Sequence, residues 1–329
     1  MIKYKYLVIL FIIFTLSGCT TNNHIDKYLS FTFTHVSDEE DKFIMNNYSY
    51  DFKNKAIQKN ASFEYNSQYP LTYYDKDEHK VYYTKRVGDS YNDEIYAYDC
   101  DTKESIKISN GIYAVNTFVK VSSNKIIAIA IDNHLPNLRL FEINTKTDDV
   151  HPMKIDGLDV EDFNIVANYY NQKDDSLYFA GYSYYEEWRL RDAYNNELID
   201  DYEVNYFVYK YSFDDGKLVK ILEDTGLGIE SLVVGNNKIY YNSRGIDAKE
   251  KGVFEYDLKN QSRRKLNELK NIYQLVCYDE VNNDILYIYN ECRGSSSLSR
   301  MNLETLEINS VFYDDIEGQI NNAFLGFTN

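Results

Sequence analysis

The chain of 329 residues reads as an all-β protein, a six-bladed β-propeller built from four-stranded antiparallel blades. Three observations predict this. Aromatic residues make up 16% of the chain, with 34 tyrosines against only 14 glycines and 3 prolines, a composition that favours strands over disorder. One short turn pattern returns six times along the chain. The two ends of the chain each hold part of a single repeat.

The pattern is a large apolar residue, a small polar or acidic one, an apolar one and then a turn triplet. It appears as YDFKNK from Tyr50, YDCDTK from Tyr98, FEINTK from Phe141, YSFDDG from Tyr211, YDLKNQ from Tyr256 and MNLETL from Met301. The spacings are 48, 43, 70, 45 and 45. Each copy follows an alternating run, such as Ile95 to Tyr98, and precedes a second short strand, so each marks a hairpin. Upstream of five copies lies a more continuously apolar strand: HKVYYTKR, NKIIAIAID, DSLYFAG, NKIYYNSR and NDILYIYN. Strands with so little alternation are buried on both faces. A further short run precedes most of these, as in NTFVKV, FNIVAN, ESLVV and IYQLVCY. Four antiparallel strands per period of about 45 residues describe a propeller blade, whose strands are termed A to D from the centre outward. A tandem β-solenoid is the alternative, but its repeats are shorter and parallel.

The chain ends predict closure. Met301 is followed by 28 residues, enough for strand D and a strand A over 320–327. Phe31 and Phe33 lie 19 and 17 residues before Tyr50, close to the B-to-C distance of the other blades. The N-terminus therefore supplies strands B, C and D to a blade whose A strand is C-terminal, an interlock that removes exposed sheet edges.

Ahead of the ring, Lys3 and Lys5 precede the stretch 7–16, apolar except for Thr15. It is too short for a spanning helix and fits a secretory core. Leu16-Ser17-Gly18-Cys19 then resembles the bacterial lipobox. The resemblance implies cleavage before Cys19 and lipidation of its thiol, with a signal peptide over 1–18, a polar tether over 19–29 and one propeller domain over 30–329. The alternative is an ordinary signal peptide whose small residues happen to precede a cysteine. A diacylglyceryl cysteine with palmitate-type chains anchors stably, because two chains act at once. The expected location is the cell membrane, lipid-anchored on its extracytoplasmic side.

Loss of Lys3 and Lys5 takes the formal charge from −17 to −19. Such acidity argues against nucleic acid, whose phosphates would be repelled. Beyond Cys19, three cysteines remain: Cys100, Cys277 and Cys292. An odd number is a poor disulfide framework, and antiparallel pairing about Val281–Asn283 places residue 277 opposite residue 288, so free thiols are expected. Residues 30–329 resemble six-bladed propellers of the TolB-like and related bacterial kind. The resemblance is architectural, and by analogy it implies a structural or chaperone-like role in envelope assembly.

Asp99-Cys100-Asp101 has the look of a soft metal site, but the repeat gives it another meaning. In the other copies the place of Cys100 is held by Phe52, Ile143, Phe213, Leu258 and Leu303, so cysteine serves there as a small apolar residue. Asp101 stands at the hinge, where it can accept backbone amides.

Antiparallel connectivity sends the B-to-C and D-to-A loops to one face and the A-to-B and C-to-D loops to the other. One B-to-C loop is outsized: Leu177 to Tyr211 is 34 residues against the usual 15 to 17, and the loop, with an insertion over 185–203, reads YSYYEEWRLRDAYNNELIDDYEVNY. It holds the sole tryptophan, Trp188, beside Arg189 and Arg191, and this composition points to recognition of a protein or a glycan. Alternatively the insertion folds back with Trp188 as a plug. Arg86, Arg244 and Arg293 open three other B-to-C loops, where they either ring an anion site or pair with Asp89, Asp247 and Glu291.

Motifs for catalysis are sparse. His24, His35, His79, His134 and His151 show no metal-ligand spacing. Gly88-Asp89-Ser90 lies in a loop, not at a strand-to-helix turn, and 212–216 matches only the first half of a sialidase Asp-box. Asp174-Asp175 and Asp200-Asp201 lack the alternate-residue spacing of a calcium loop. No catalytic residue, metal or cofactor is assigned. The expected function is that of a monomeric, membrane-anchored lipoprotein that binds a protein or glycan of the envelope non-catalytically through the B-to-C face. The alternative is an envelope hydrolase or lyase, acting at the ring centre on an anionic substrate held by the arginines.

Overall fold

The computed structural model describes residues 26–37, 41–88, 92–245, 247–290, 295–313 and 317–328. Leu16, Ser17, Gly18, Cys19, Cys292 and Arg293 lie outside them, as does Asp89. Six four-stranded antiparallel sheets form the ring. The first blade joins β24 (Gly318–Phe327) as strand A to β1 (Lys27–Val36), β2 (Phe43–Asp51) and β3 (Ala56–Glu64). The second is β4 (Thr72–Asp75), β5 (Lys80–Arg86), β6 (Asp93–Asp99) and β7 (Ser105–Lys107). The third is β8 (Ile112–Ser122), β9 (Lys125–Asp132), β10 (Arg139–Asn144) and β11 (Val150–Pro152). The fourth is β12 (Phe163–Asn171), β13 (Ser176–Ser183), β14 (Asn205–Ser212) and β15 (Leu218–Thr225). The fifth is β16 (Ile229–Gly235), β17 (Lys238–Ser243), β18 (Gly252–Asp257) and β19 (Ser262–Lys265). The sixth is β20 (Ile272–Asp279), β21 (Asp284–Asn290), β22 (Ser296–Asn302) and β23 (Ile308–Tyr313).

The ring closes as the chain ends predict, with β24 paired to β1 from Lys27↔Phe327 to His35↔Gly318. β1 begins within the stretch read as tether, because Tyr28 and Leu29 are buried in the blade. The B strands are buried on both faces, as their continuous apolar runs require: Ile126 to Ala130 of β9 are all fully buried. Apolar side chains from neighbouring blades mesh between the sheets, as where Phe31 and Phe33 of β1 meet Phe312 of β23. Blades one and two are also joined by buried hydroxyl and amide groups. Asn47 Nδ2 donates to Ser30 Oγ (2.9 Å) and Thr72 Oγ1 (2.8 Å), and Tyr28 donates to the Tyr74 carbonyl (2.9 Å). On the A-to-B face, Lys120 of blade three is buried against Asp75 and Glu78 of blade two and lies over the Tyr82 ring.

The C-to-D hairpins explain the repeated pattern. In five of them the last residue of strand C is Asp or Asn, whose side chain accepts two backbone N–H groups of the turn: Asp51, Asp99, Asn144, Asp257 and Asn302. The residue four further on is left-handed in all six, with φ between 51° and 67° at Lys55, Lys103, Asp148, Gly216, Gln261 and Leu306. The amide-accepting side chain is thus Asp99, not Asp101, which instead lies 2.8 Å from His79 Nδ1. Cys100 is buried beside Tyr28, Ala61, Tyr74 and Val81, as an apolar position should be.

The same frame shifts the third copy. Asn144 occupies the place of Asp99, so the copy starts at Ile143, and the residue equivalent to Cys100 is Thr145, whose N–H donates to the Asn124 carbonyl in the A-to-B turn of its own blade, as that of Cys100 does to His79. The spacing from Tyr98 is then 45 and that to Tyr211 is 68. Cys277 pairs with Leu286 rather than residue 288, because the chain turns between the paired Asp279 and Asp284, and the register runs unbroken from there to Cys277. Both Cys100 and Cys277 are free thiols.

If closure rests on the β1–β24 seam, Phe31→Ala should cost about 3–5 kcal/mol of unfolding free energy. Ile308→Ala, on an exposed outer strand, should cost less than about 1 kcal/mol. Urea unfolding measures both, and comparable losses would contradict the seam's weight.

Candidate functional site

Strand A of every blade runs the same way, from the D-to-A face towards the A-to-B face, and five of the six, with residues 68–71 just ahead of β4, line a central cavity of about 360 Å³. Five of the six carry a β-bulge at the same depth. Asn116, Val166, Glu230, Tyr273 and Asn321 are the extra residues, unpaired with strand B. A bulge re-aims a side chain, and all five line the cavity. Beside the bulged residues the wall carries the polar groups of Asn168, Ser231 and Gln274 as well as the apolar Leu232, Val276 and Phe324. Asn322 is only 3% exposed, yet among the described residues neither its Oδ1 nor its Nδ2 has a hydrogen-bond partner.

The outsized loop folds into a helix, α1 (Tyr184–Asn195), on the B-to-C face. Its start is fixed by Ser183, whose Oγ accepts the Glu186 N–H (3.1 Å) and donates to Asp162 Oδ2 (2.6 Å). Asp162 Oδ1 also accepts the Tyr185 N–H, so the long D-to-A connection of residues 153–162 holds the base of α1. The sequence signal for this helix is Ser183-x-x-Glu186, a capping-box pattern that strand-based reading passes over. The helix divides the predicted cluster. Trp188 (52% exposed), Tyr185 and Arg189 face outward, so Trp188 is not a plug. Arg191 turns inward, where its guanidinium lies 3.3 Å from Glu187, the helix's buried residue.

Beneath the inner face of α1 lies a second cavity of about 540 Å³, which shares Asn116, Val166 and Glu230 with the channel and so forms its mouth. Its distinctive groups are Glu187, Arg191, Tyr182, Tyr206 and Asp247. Tyr206 donates to Asp247 Oδ1 (3.3 Å), while Asp247 Oδ2 is buried with no hydrogen-bond partner among the described residues. Burial raises the Asp247 carboxyl above its ordinary pKa, opposed by its own N–H and by Tyr206. Burial also raises Glu187, with Arg191 opposing and the nearby Asp247 charge adding to the rise. Tyr182 is pushed up to about 12, chiefly by burial and then by Glu187, and so remains a hydroxyl.

Arg86 and Arg244, which open two other B-to-C loops, do not line this cup. Arg86 Nε lies 3.9 Å from the buried Asp93 carboxylate. Arg244 approaches Glu230 (3.5 Å), donates to the Tyr273 carbonyl (3.2 Å) and lies over the Tyr273 ring, whereas Asp247 turns to Tyr206. The acidic pairs are also engaged or at the surface: Asp174 meets Lys210 (2.8 Å) and the Tyr178 hydroxyl (2.9 Å). An anionic substrate entering through this mouth would therefore meet Glu187, Asp247 and Glu230, with Arg191 in the wall and Arg244 beside Glu230.

With this geometry in place, similar folds can be placed beside it. TolB from Acinetobacter baumannii is similar with a TM-score of 0.57 and 14% identity, over 95% of this chain and 69% of that one. The β-propeller domain of the Trilobed protease from Pyrococcus furiosus, described as having an open velcro topology, gives 0.51 and 14%, over 86% and 79%. An oligogalacturonate lyase from Vibrio parahaemolyticus aligns more loosely, at 0.49 and 11%, over 87% and 73%. The likeness is one of fold. No protein-family profile and no curated protein sequence matches the chain. This ring differs from an open one in the β1–β24 pairing that runs from Lys27↔Phe327 to His35↔Gly318.

The raised carboxyls carry a stability sign. Their protons are held more tightly in the native state than in the unfolded chain, where Asp titrates near about 3.9. Their contribution therefore falls as pH rises from about 4 through the native pKa. Asp247→Asn should raise the thermal midpoint near pH 7, and the gain should vanish near pH 4. Equal shifts at both pH values would refute the burial of this carboxyl.

Proposed function

We propose that the protein is a lipid-anchored, extracytoplasmic binding protein that holds a glycan non-catalytically at its B-to-C face. The observation that carries this reading is the cup itself. It is concave, walled on one side by an inserted helix, and lined by tyrosines, carboxylates and side-chain amides brought to the mouth by aligned bulges. Ligand sites of this kind place a few polar groups on a largely pre-formed concavity. Sugars present hydroxyls to amides and carboxylates and apolar ring faces to aromatic rings. Arg191 belongs to the inner wall of the cup, Trp188 and Arg189 to its outer wall, and Arg86 and Arg244 to loops of the same face, while Arg293 lies outside the described residues. Anchoring rests on Leu16-Ser17-Gly18-Cys19 and the apolar stretch before it. Among the described residues, no helix is long and apolar enough to cross a membrane.

A second reading is favoured by one observation: Tyr185 and Trp188 stand 59% and 52% exposed on the outer face of α1. Paired aromatic side chains exposed on a rigid helix suit a protein partner. Because Trp188 is the sole tryptophan, its fluorescence separates the two. The full chain should be retained on immobilised envelope oligosaccharides. Retention should be lost when residues 184–195 are replaced by a short Gly-Ser linker that leaves the thermal transition in place. A glycan in the cup should leave Trp188 open to acrylamide quenching, whereas protection of Trp188 would favour the protein partner.

Cys19→Ala should move the chain from the membrane fraction to the soluble extracytoplasmic fraction, as immunoblotting would show. Retention in the membrane would remove the lipid anchor from this account.

A further inference from the structure

The cup's charge and its unpartnered groups say more about the ligand than concavity does. Glu187 is matched by Arg191 at 3.3 Å and Glu230 by Arg244 at 3.5 Å. Asp247 has no such cation: its Oδ1 accepts the Tyr206 hydroxyl, and its Oδ2 is buried with no hydrogen-bond partner among the described residues. Asp247 thus leaves the cup one negative charge in excess, on a chain of formal charge −17 whose field concentrates cations. A buried carboxylate oxygen is stabilised most by a charged donor. In the central cavity that this mouth opens into, Asn322 offers an acceptor and a donor side by side at 3% exposure, neither with a hydrogen-bond partner among the described residues. That pair matches adjacent hydroxyls, each of which can donate and accept. The bulged amides Asn116 and Asn321 flank it in the cavity wall.

We infer that the cup selects an amino sugar, its ammonium against Asp247 Oδ2 and the hydroxyls of its chain against Asn322, Asn116 and Asn321. This rests on the glycan reading above and adds the charge of the sugar to it. A uronic acid would meet the unmatched carboxylate and be repelled. A lysine side chain would satisfy Asp247 but leave the amide wall without the hydroxyls it fits.

The test is calorimetric titration of the full chain in detergent with a β-1,4-linked glucosamine tetrasaccharide, with cellotetraose and with tetralysine. Cellotetraose keeps the sugar backbone but carries hydroxyl in place of ammonium. The glucosamine chain should bind at least about tenfold tighter than cellotetraose, the scale of one hydrogen bond to a buried charge. Asp247→Asn, isosteric and expected to fold, should bring the two saccharides within about threefold of each other, because the charge-assisted contact is gone. Asn322→Ala should weaken both saccharides alike. Equal binding of the two saccharides to the parent, or selectivity that survives Asp247→Asn, would overturn the inference and leave glycan binding standing. Tetralysine binding as tightly, with the same dependence on Asp247, would overturn it in favour of a peptide cation. Binding of no saccharide would overturn this inference and the glycan reading together.

Discussion

Pairing of β24 with β1 is the constraint on which the rest of this molecule depends. Each blade buries its apolar faces only against its two neighbours, so a ring open at one point would expose both faces of a seam and an unpaired strand edge. The seam is correspondingly well filled. Phe31 and Phe33 of β1 pack on Phe312 of blade six, and Ser30, Thr32, Asn47 and Thr72 bond one another where blade one meets blade two. Once the ring is closed, six A strands are held at a common depth. Only then can single bulged residues from five blades meet in one cavity.

The bulges turn a scaffold into a site. In an unbulged strand each residue opposite the partner has its orientation set by the pleat, and residues that face the neighbouring blades cannot also face the channel. One extra residue breaks that alternation locally and frees a side chain to turn inward. Asn116, Glu230 and Asn321 are polar at this place, and a polar residue there meets the cavity rather than the core. The helix α1 adds the remaining wall, and its orientation follows from its cap. Asp162 and Ser183 fix the first turn, Glu187 is drawn under the helix, and Trp188 is thereby placed on the far side.

The acidic groups divide by what surrounds them. Glu255 is buried too, but Arg264 and Lys238 bond it directly (2.9 Å each), and its carboxyl is held below the usual range despite burial. Asp247 has no such cation, and burial raises it. The contrast separates a carboxylate that binds two strands together from one left available to a ligand.

The sequence by itself determined the blade count, the four-strand repeat, the closure by both chain ends and the place of the outsized loop. These are local matters of hairpin chemistry and burial, carried by side chains such as Asp51, Asp99 and Asn302 that accept the amides of their own turns. Even the slip at Phe141 in place of Ile143 arose where two apolar residues two apart fit one pattern, and only the side-chain bonds of Asn144 distinguish them. Tertiary structure alone decided which residues share the cup. Asp247, Glu187 and Asn322 lie in different blades, far apart along the chain, and only the closed ring brings them to one opening. A bulge shifts a strand by one residue without changing its composition, so the inward turn of Asn116, Glu230 and Asn321 becomes visible only in the pairing of strand A with strand B.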